Sequence, residues 1–423
     1  MIDLGSKKVN SCEITNDATK YTRMKKVLII AATNLPIPAY KGGATETLVS
    51  DFLNLASADE EAQNEIQFDV YSNCAGKDFN VNNVHYHFIR QNVFDKIRFR
   101  FHWFIRQLTL KRRFIPDFFP VKVSKNVDIN GYDLVLLEGN KDQAITARSV
   151  YQGVICLHIH TVMTLTKKIY KSDKTVGACD YLIANSNFTK RVLDQIDESR
   201  RQDIKVLKNA IQLSDFVNDE IAFRKEFRLL NGISEDDFVF IYCGRLERGK
   251  GVLQLIKAFK KIGSGAKLII VGASWFSSNK KSPYIYQLEK EASDVKENIV
   301  FTGYVKHDLM NKYYRAADAF VMPSIYEEAA GLVAIEAQAA GLPVIASRIG
   351  GIPEFLPEST SLLVNVEDEE FFVNDLARKM NDLRNDSQLY QKEVEMAKRS
   401  VKQFGMQDYY QRMKKLLNEM VKK

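Results

Sequence analysis

DAFVMPSIYEEAAGLVAIEAQAAGLPVIAS, residues Asp318 to Ser347, decides the fold. AFVMPS is an apolar run stopped by proline and serine, the pattern of a buried parallel strand ending at a loop. GLVAIEAQAAG is rich in alanine and leucine and closes on Gly341, which predicts a helix with a glycine stop, and PVIAS restarts as a strand. Two carboxylates punctuate this unit: Glu328 precedes the helix, and Glu336, eight residues on, lies inside it. Ligands of open α/β sheets bind beyond the carboxyl ends of the strands, where loops and helix N-termini converge, and Glu328 to Leu332 occupies that place.

On either side the same alternation continues. Apolar runs at Phe238–Cys243, Lys267–Val271, Ile299–Thr302 and Ser361–Val366 complete one doubly wound unit with the quoted stretch. Its first turn reads FVFIYCGRLERGKGVLQLIKAFKKI, with Arg245 and Lys250 flanking a glycine turn, and two fixed cations at a strand end suit a diphosphate. Gly244, Gly249 and Lys250 also satisfy G-x-x-x-x-G-K, but the next residue is Gly251, where a P-loop needs Ser or Thr to hold Mg²⁺. No D-x-D triplet occurs to present a divalent metal, so the cations are expected to act without one.

Upstream, Lys25–Thr33 is apolar throughout, as expected of a central parallel strand, and Phe68–Tyr71, Val84–Ile89, Asp133–Leu137, Val154–His158 and Tyr181–Ala184 repeat the pattern. A second doubly wound domain follows, which suits a chain of 423 residues and 45% hydrophobic content. Gly42-Gly43, just before an amphipathic helix, makes either a loop whose backbone approaches a ligand or a plain turn. The pairs His85/His87 and His158/His160 each share a strand face. His85 and His87 read as satisfied sheet histidines, whereas His160 ends an apolar run at the carboxyl edge of the first sheet. Tyr304-Val305 follows the strand Ile299–Thr302 as either ligand backbone or strand-end turn. Trp275 lies in the loop after LIIVG with no role assigned.

The five cysteines form no C-x-x-C pair and fit a reducing compartment. Residues 1–23 lack the apolar core of a signal peptide, and no run of about 18 apolar residues predicts a membrane span. A net charge of +7 does not by itself argue for nucleic acid, yet KIRFRFHWFIRQLTLKRR, Lys96 to Arg113, holds seven cations and no acid. Ile97, Phe101, Phe104, Ile105 and Leu108 fall at helical spacing there. The segment is either a core-facing stripe with a solvated basic side or an interfacial helix for anionic lipid.

Glu328, Gly331, Leu332, Glu336, Ala337, Gly341, Pro343 and Val344 resemble the E-x7-E segment of retaining glycosyltransferases of family 4 with the GT-B fold, and Gly244-Arg245-Leu246 with Lys250-Gly251 resembles that family's G-R-L-x-x-x-K-G motif. The resemblance covers nearly all of residues 25–420. It implies two Rossmann-like domains facing across a cleft: an N-terminal extension (1–23), an acceptor-side domain (24–208), a hinge (209–217), a donor domain (218–403) and a last helix (404–423) that crosses back. Lys208 to Phe216 resembles the family's N-G-V-D linker, with Ala210 in place of glycine. By the same resemblance Arg245 and Lys250 hold the nucleotide diphosphate beside Gly244, Glu336 holds the ribose, and Glu328, with Gly331 and Leu332, contacts the donor sugar. Tyr304 and Val305 meet the base, and Gly42, Gly43 and His160 complete the site from the facing domain.

The implied protein is a metal-independent, cytoplasmic glycosyltransferase that moves a sugar from a UDP-type donor to a saccharide or lipid-linked saccharide, in cell-surface polysaccharide or glycoconjugate synthesis. No metal or cofactor and no nucleic-acid partner is expected. A phosphorylase of the same fold and a non-catalytic nucleotide-sugar-binding protein are the rival readings; the intact set of Arg245, Lys250, Glu328 and Glu336 argues against the latter.

Overall fold

The computed structural model describes residues 23–31, 35–90, 97, 101, 104, 117–162, 172–217, 221–273 and 282–422. β1 (Lys25–Ile30), β2 (Ile66–Ser72), β3 (Phe79–Val81), β4 (Val84–Phe88), β5 (Leu134–Glu138), β6 (Val154–Ile159), β7 (Tyr181–Ala184) and β8 (Ile204–Val206) form one sheet, in the order β3-β4-β2-β1-β5-β6-β7-β8. β9 (Phe238–Cys243), β10 (Ala266–Val271), β11 (Ile299–Gly303), β12 (Ala319–Met322), β13 (Val344–Ser347) and β14 (Leu363–Val364) form a second, in the order β11-β10-β9-β12-β13-β14. Among these strands every pairing is parallel except β3 with β4.

Parallel sheets are covered on both faces, and the continuous apolar strands follow from that. Val27 and Ile29 of β1 point into one core while Leu28 and Ile30 point into another. Phe240 and Tyr242 of β9 are likewise separated from Val239 and Ile241. The helices that concern the site are α1 (Ala44–Ala58), α2 (Asn187–Ile196), α3 (Val252–Phe259), α4 (Met310–Ala316), α5 (Leu332–Ala339) and α6 (Met406–Val421).

Three sequence expectations change. β3 was not expected; it is an antiparallel edge strand turned on Asn82, whose φ of 51° is one of the few left-handed conformations a side-chain amide tolerates. β8 was missed because it has three residues. The run Ser361–Val366 shrinks to Leu363–Val364, since the Ser361 N–H donates to the buried Glu393 carboxylate (3.0 Å) instead of entering the ladder. Trp275, the extension 1–22 and most of Lys96–Arg113 lie outside the described residues. In that last segment Ile97, Phe101 and Phe104 are helical and exposed.

The chain passes twice between the sheets at one place. The Ile211 N–H donates to the Phe404 carbonyl (3.0 Å) and the Met406 N–H to the Ile211 carbonyl (3.1 Å). Beyond that crossing α6 packs Met406, Tyr409, Tyr410, Met413, Leu417 and Met420 into the core of the first sheet. The Tyr410 hydroxyl donates to Asp59 (2.6 Å), and Lys414 bridges Asp59 and Glu61. No helix among the described residues is long and apolar enough to cross a membrane.

Candidate functional site

The second sheet brings two sequence-distant turns together at its carboxyl edge. β9 ends at Cys243, and the turn that begins with Gly244 reaches α3 through Gly251, which sits at φ 72°. A Cβ on Gly251 would run into the Pro323 carbonyl at the end of β12, so the close approach of these two loops requires glycine there. The hydroxyl missing from a P-loop reading is thus missing for a steric reason. The Ile325 N–H donates to the Gly249 carbonyl (2.9 Å) and locks the pair.

This contact places Lys250 on Glu328. Their Nζ and Oε2 are 2.8 Å apart with both side chains largely buried, the Ser324 hydroxyl donates to the other carboxylate oxygen, and the Tyr326 ring lies 5.5 Å from Nζ. Burial pulls the Lys250 pKa down, but the Glu328 charge overrides it and holds the ammonium above its ordinary value. Arg245 stands beside them, more exposed, 3.1 Å from Glu247, which also accepts from the Tyr326 hydroxyl. Glu328 is further fixed by its backbone: the Gly351 N–H donates to its carbonyl (2.7 Å), and a Cβ on Gly350, at φ 58°, would strike it.

Glu336 lies one helix further in and is separate from that pair. Gly331 precedes the first residue of α5, Leu332, and Glu336 accepts from the Tyr314 hydroxyl of α4 (2.8 Å) and from His307 Nε2 in the turn just before α4 (3.0 Å). Hydrogen bonding and attraction to Glu336 raise the His307 pKa to about 9 despite desolvation, with Asp51 on α1 and Asp215 near the crossing adding to the rise. Asp51 itself is pushed up to about 6 by burial and by Asp215. His307, which sequence reading passed over, therefore joins both sheets' elements electrostatically. Tyr304 and Val305 follow β11 directly, and Val305 packs on the second core.

From the first sheet, His160 follows β6 and its Nε2 lies 2.9 Å from Glu138 Oε2 at the end of β5; His158 Nδ1 lies 3.1 Å from the same oxygen. Burial and the neighbouring His158 hold the His160 pKa below its ordinary value. Glu138 was also missed: an acid closing an apolar run reads as the first loop residue, yet it is buried. His85 and His87 are partnered by Asp69 (2.8 Å) and Asp78 (2.9 Å). Gly42 and Gly43 precede α1 at positive φ, but the Gly42 N–H is used within the loop, donating to Ala39.

The two edges meet. Asn185 Nδ2 donates to the His160 carbonyl (3.4 Å), and the next residue, Ser186, donates to the Ala329 carbonyl (2.6 Å), directly after Glu328. Beside this bridge the Glu354 carboxylate accepts from the Asn187 and Phe188 N–H groups (2.8 and 2.7 Å), using the free donors at the start of α2. His160 and Glu328 thus lie on opposite sides of one interdomain bridge.

Residues 223–400 match the family described as glycosyl transferases group 1. An uncharacterized glycosyltransferase of Methanocaldococcus jannaschii is 34% identical over 40% of this chain and 45% of its own length. The lipopolysaccharide 1,2-N-acetylglucosaminetransferase of Salmonella typhimurium is 35% identical over 25% and 29%. The match spans less than half the length of either relative. The structure of Anabaena Alr3699/HepE in complex with UDP and glucose superposes with a TM-score of 0.70 over 93% of this chain and 99% of that one, at 18% identity. The chain as a whole has the GT-B fold, and its residues 223–400 match the model of the glycosyl transferases group 1 family.

Proposed function

We propose that the protein is a retaining, metal-independent glycosyltransferase using a UDP-sugar. The acceptor hydroxyl oxygen forms the new bond to C1, the bond from C1 to the diphosphate oxygen breaks, and the hydroxyl proton departs with the nucleoside diphosphate. Retention follows when acceptor and leaving group use the same face of the sugar. Negative charge grows on the leaving oxygen, and Arg245 and Lys250, already positioned at the sheet edge, stabilise that charge more than the ground state.

The observation that carries this reading is the buried Lys250–Glu328 pair beside Arg245, because it sets a cation for phosphate and a carboxylate for sugar hydroxyls within one hydrogen bond of each other. Glu336 then takes the ribose, Tyr304 and Val305 the base, and Gly42, Gly43 and His160 close the cleft. A panel of nucleotide sugars tested by calorimetry and for slow hydrolysis decides the matter. One UDP-sugar is expected to bind and hydrolyse, unaffected by EDTA. Binding of no nucleotide, with turnover of a sugar phosphate, makes the chain a phosphorylase; binding without hydrolysis or transfer makes it a non-catalytic receptor.

A saccharide or lipid-linked saccharide acceptor at the cytoplasmic membrane surface fits the exposed helical positions Ile97, Phe101 and Phe104 within a stretch of seven cations. Each Lys or Arg near an anionic bilayer contributes on the order of 1 kcal/mol. Wild-type protein is expected to sediment with anionic vesicles at low salt. Replacing Arg98, Arg100, Arg106, Lys111 and Arg113 by glutamine is expected to abolish this while sparing donor binding. If the wild type stays in the supernatant, the acceptor is soluble.

A further inference from the structure

Glu138, His158 and His160 are the group of possible metal ligands found among the described residues, with one ligand atom from each and all three atoms within 4.8 Å of one another. The fold brings them together. Glu138 and His158 are register partners on the neighbouring strands β5 and β6, and His160 follows two positions later at the same carboxyl edge. Glu138 Oε2 stands 3.1 Å from His158 Nδ1 and 2.9 Å from His160 Nε2. Ligands about 2.0–2.1 Å from a tetrahedral ion lie roughly 3.3 Å apart, so the two measured separations need only a small expansion to admit one.

A second observation is independent of the spacing. His158 is fully buried; its Nδ1 lies 3.1 Å from Glu138 Oε2, and its Nε2 has no hydrogen-bond partner. Buried polar nitrogens are normally satisfied, and an imidazole buried with one nitrogen orphaned calls for an explanation.

We propose that Glu138 Oε2, His158 Nδ1 and His160 Nε2 bind one divalent transition-metal ion of the zinc class. Two imidazoles and one carboxylate suit Zn²⁺ or Co²⁺, whereas Mg²⁺ and Ca²⁺ prefer an all-oxygen shell. Three protein ligands leave a fourth position for water or a small ligand, and His160 is the member of the group that reaches solvent. This ion is not a diphosphate metal, because its ligands belong to the first sheet and Arg245 and Lys250 to the second. It takes the His160 nitrogen, so metal loading and use of that nitrogen by a sugar exclude each other. The proposal does not depend on the transfer reaction.

The test titrates Co²⁺ into the full-length, chelator-treated protein and follows visible ligand-field absorption, with Zn²⁺ calorimetry in parallel. One equivalent is expected to give an intense tetrahedral-type band that Zn²⁺ displaces. His158→Gln and, separately, His160→Gln are expected to weaken binding at least tenfold. Melting curves identify any variant that fails to fold, and the less buried His160 provides the second route if His158→Gln does. The His85→Gln/His87→Gln double variant, which removes two other partnered histidines of the first sheet, is expected to keep the band. Absence of a band in the wild type means a triad held by hydrogen bonds alone and overturns the proposal. Loss of the band in the His85/His87 variant, with retention in the His158 and His160 variants, overturns it equally.

Discussion

Lys250→Ala is expected to lower turnover by about two to three orders of magnitude, the effect of removing one preorganised group that stabilises charge in a transition state. It is also expected to lower the melting temperature, and the two losses have different origins. Lys250 Nζ is 2.8 Å from a Glu328 side chain that is 10% exposed, and deleting the cation leaves that carboxylate buried and unpaired. Breaking such a pair from one side costs on the order of 3–5 kcal/mol. The double variant Lys250→Met/Glu328→Gln removes both charges and is expected to regain most of the melting temperature and none of the turnover. Arg245→Ala, at a more exposed site, is expected to lower turnover with little change in melting. Full turnover in a stably folded Lys250 variant removes the lysine from the diphosphate role, and recovery of turnover in the double variant makes the pair purely structural.

The double variant also separates what the sequence made legible from what it hid. The loops carrying Lys250 and Glu328 were readable because each lies between an apolar strand and a helix with a glycine mark: Gly251 before α3, Gly331 before α5 and Gly341 after it. Their contact was not, because nothing local encodes a Cβ clash between Gly251 and the Pro323 carbonyl. The same limit hid the Glu354 carboxylate on α2, whose partners Asn187 and Phe188 are more than 160 residues away. β3 escaped for another reason. Phe79 and Val81 are exposed on an edge hairpin, so the strand has no buried face to impose a period of two. Glu138 was hidden by its own chemistry, since an acid normally ends a buried run, and only the two imidazoles opposite make its burial tolerable.

Glu336→Ala is expected to weaken UDP binding by about 1.5–3 kcal/mol for each charge-assisted hydrogen bond lost to the ribose, roughly 10- to 150-fold for one such bond. The carboxylate already accepts from Tyr314 and His307. An ionised carboxylate has about four acceptor positions, so two protein donors orient it and leave capacity for two ribose hydroxyls. Glu336→Gln keeps the shape and loses the charge, and is expected to fall between wild type and alanine. A pH signature accompanies these variants. The His307 pKa is raised from 6.5 to about 9 chiefly by Glu336, so its stabilisation is fully present below pH 6.5 and is lost as pH rises to about 9. Wild-type melting temperature is expected to decline through that window, and the decline is expected to flatten in Glu336→Gln and in His307→Gln. The two readouts test different things. A flattened melting profile with unchanged UDP affinity leaves Glu336 as the anchor of His307 and takes the ribose away from it. Weakened affinity in Glu336→Gln with UDP binding retained in His307→Gln assigns the ribose to the carboxylate itself rather than to the interdomain charge that His307 carries.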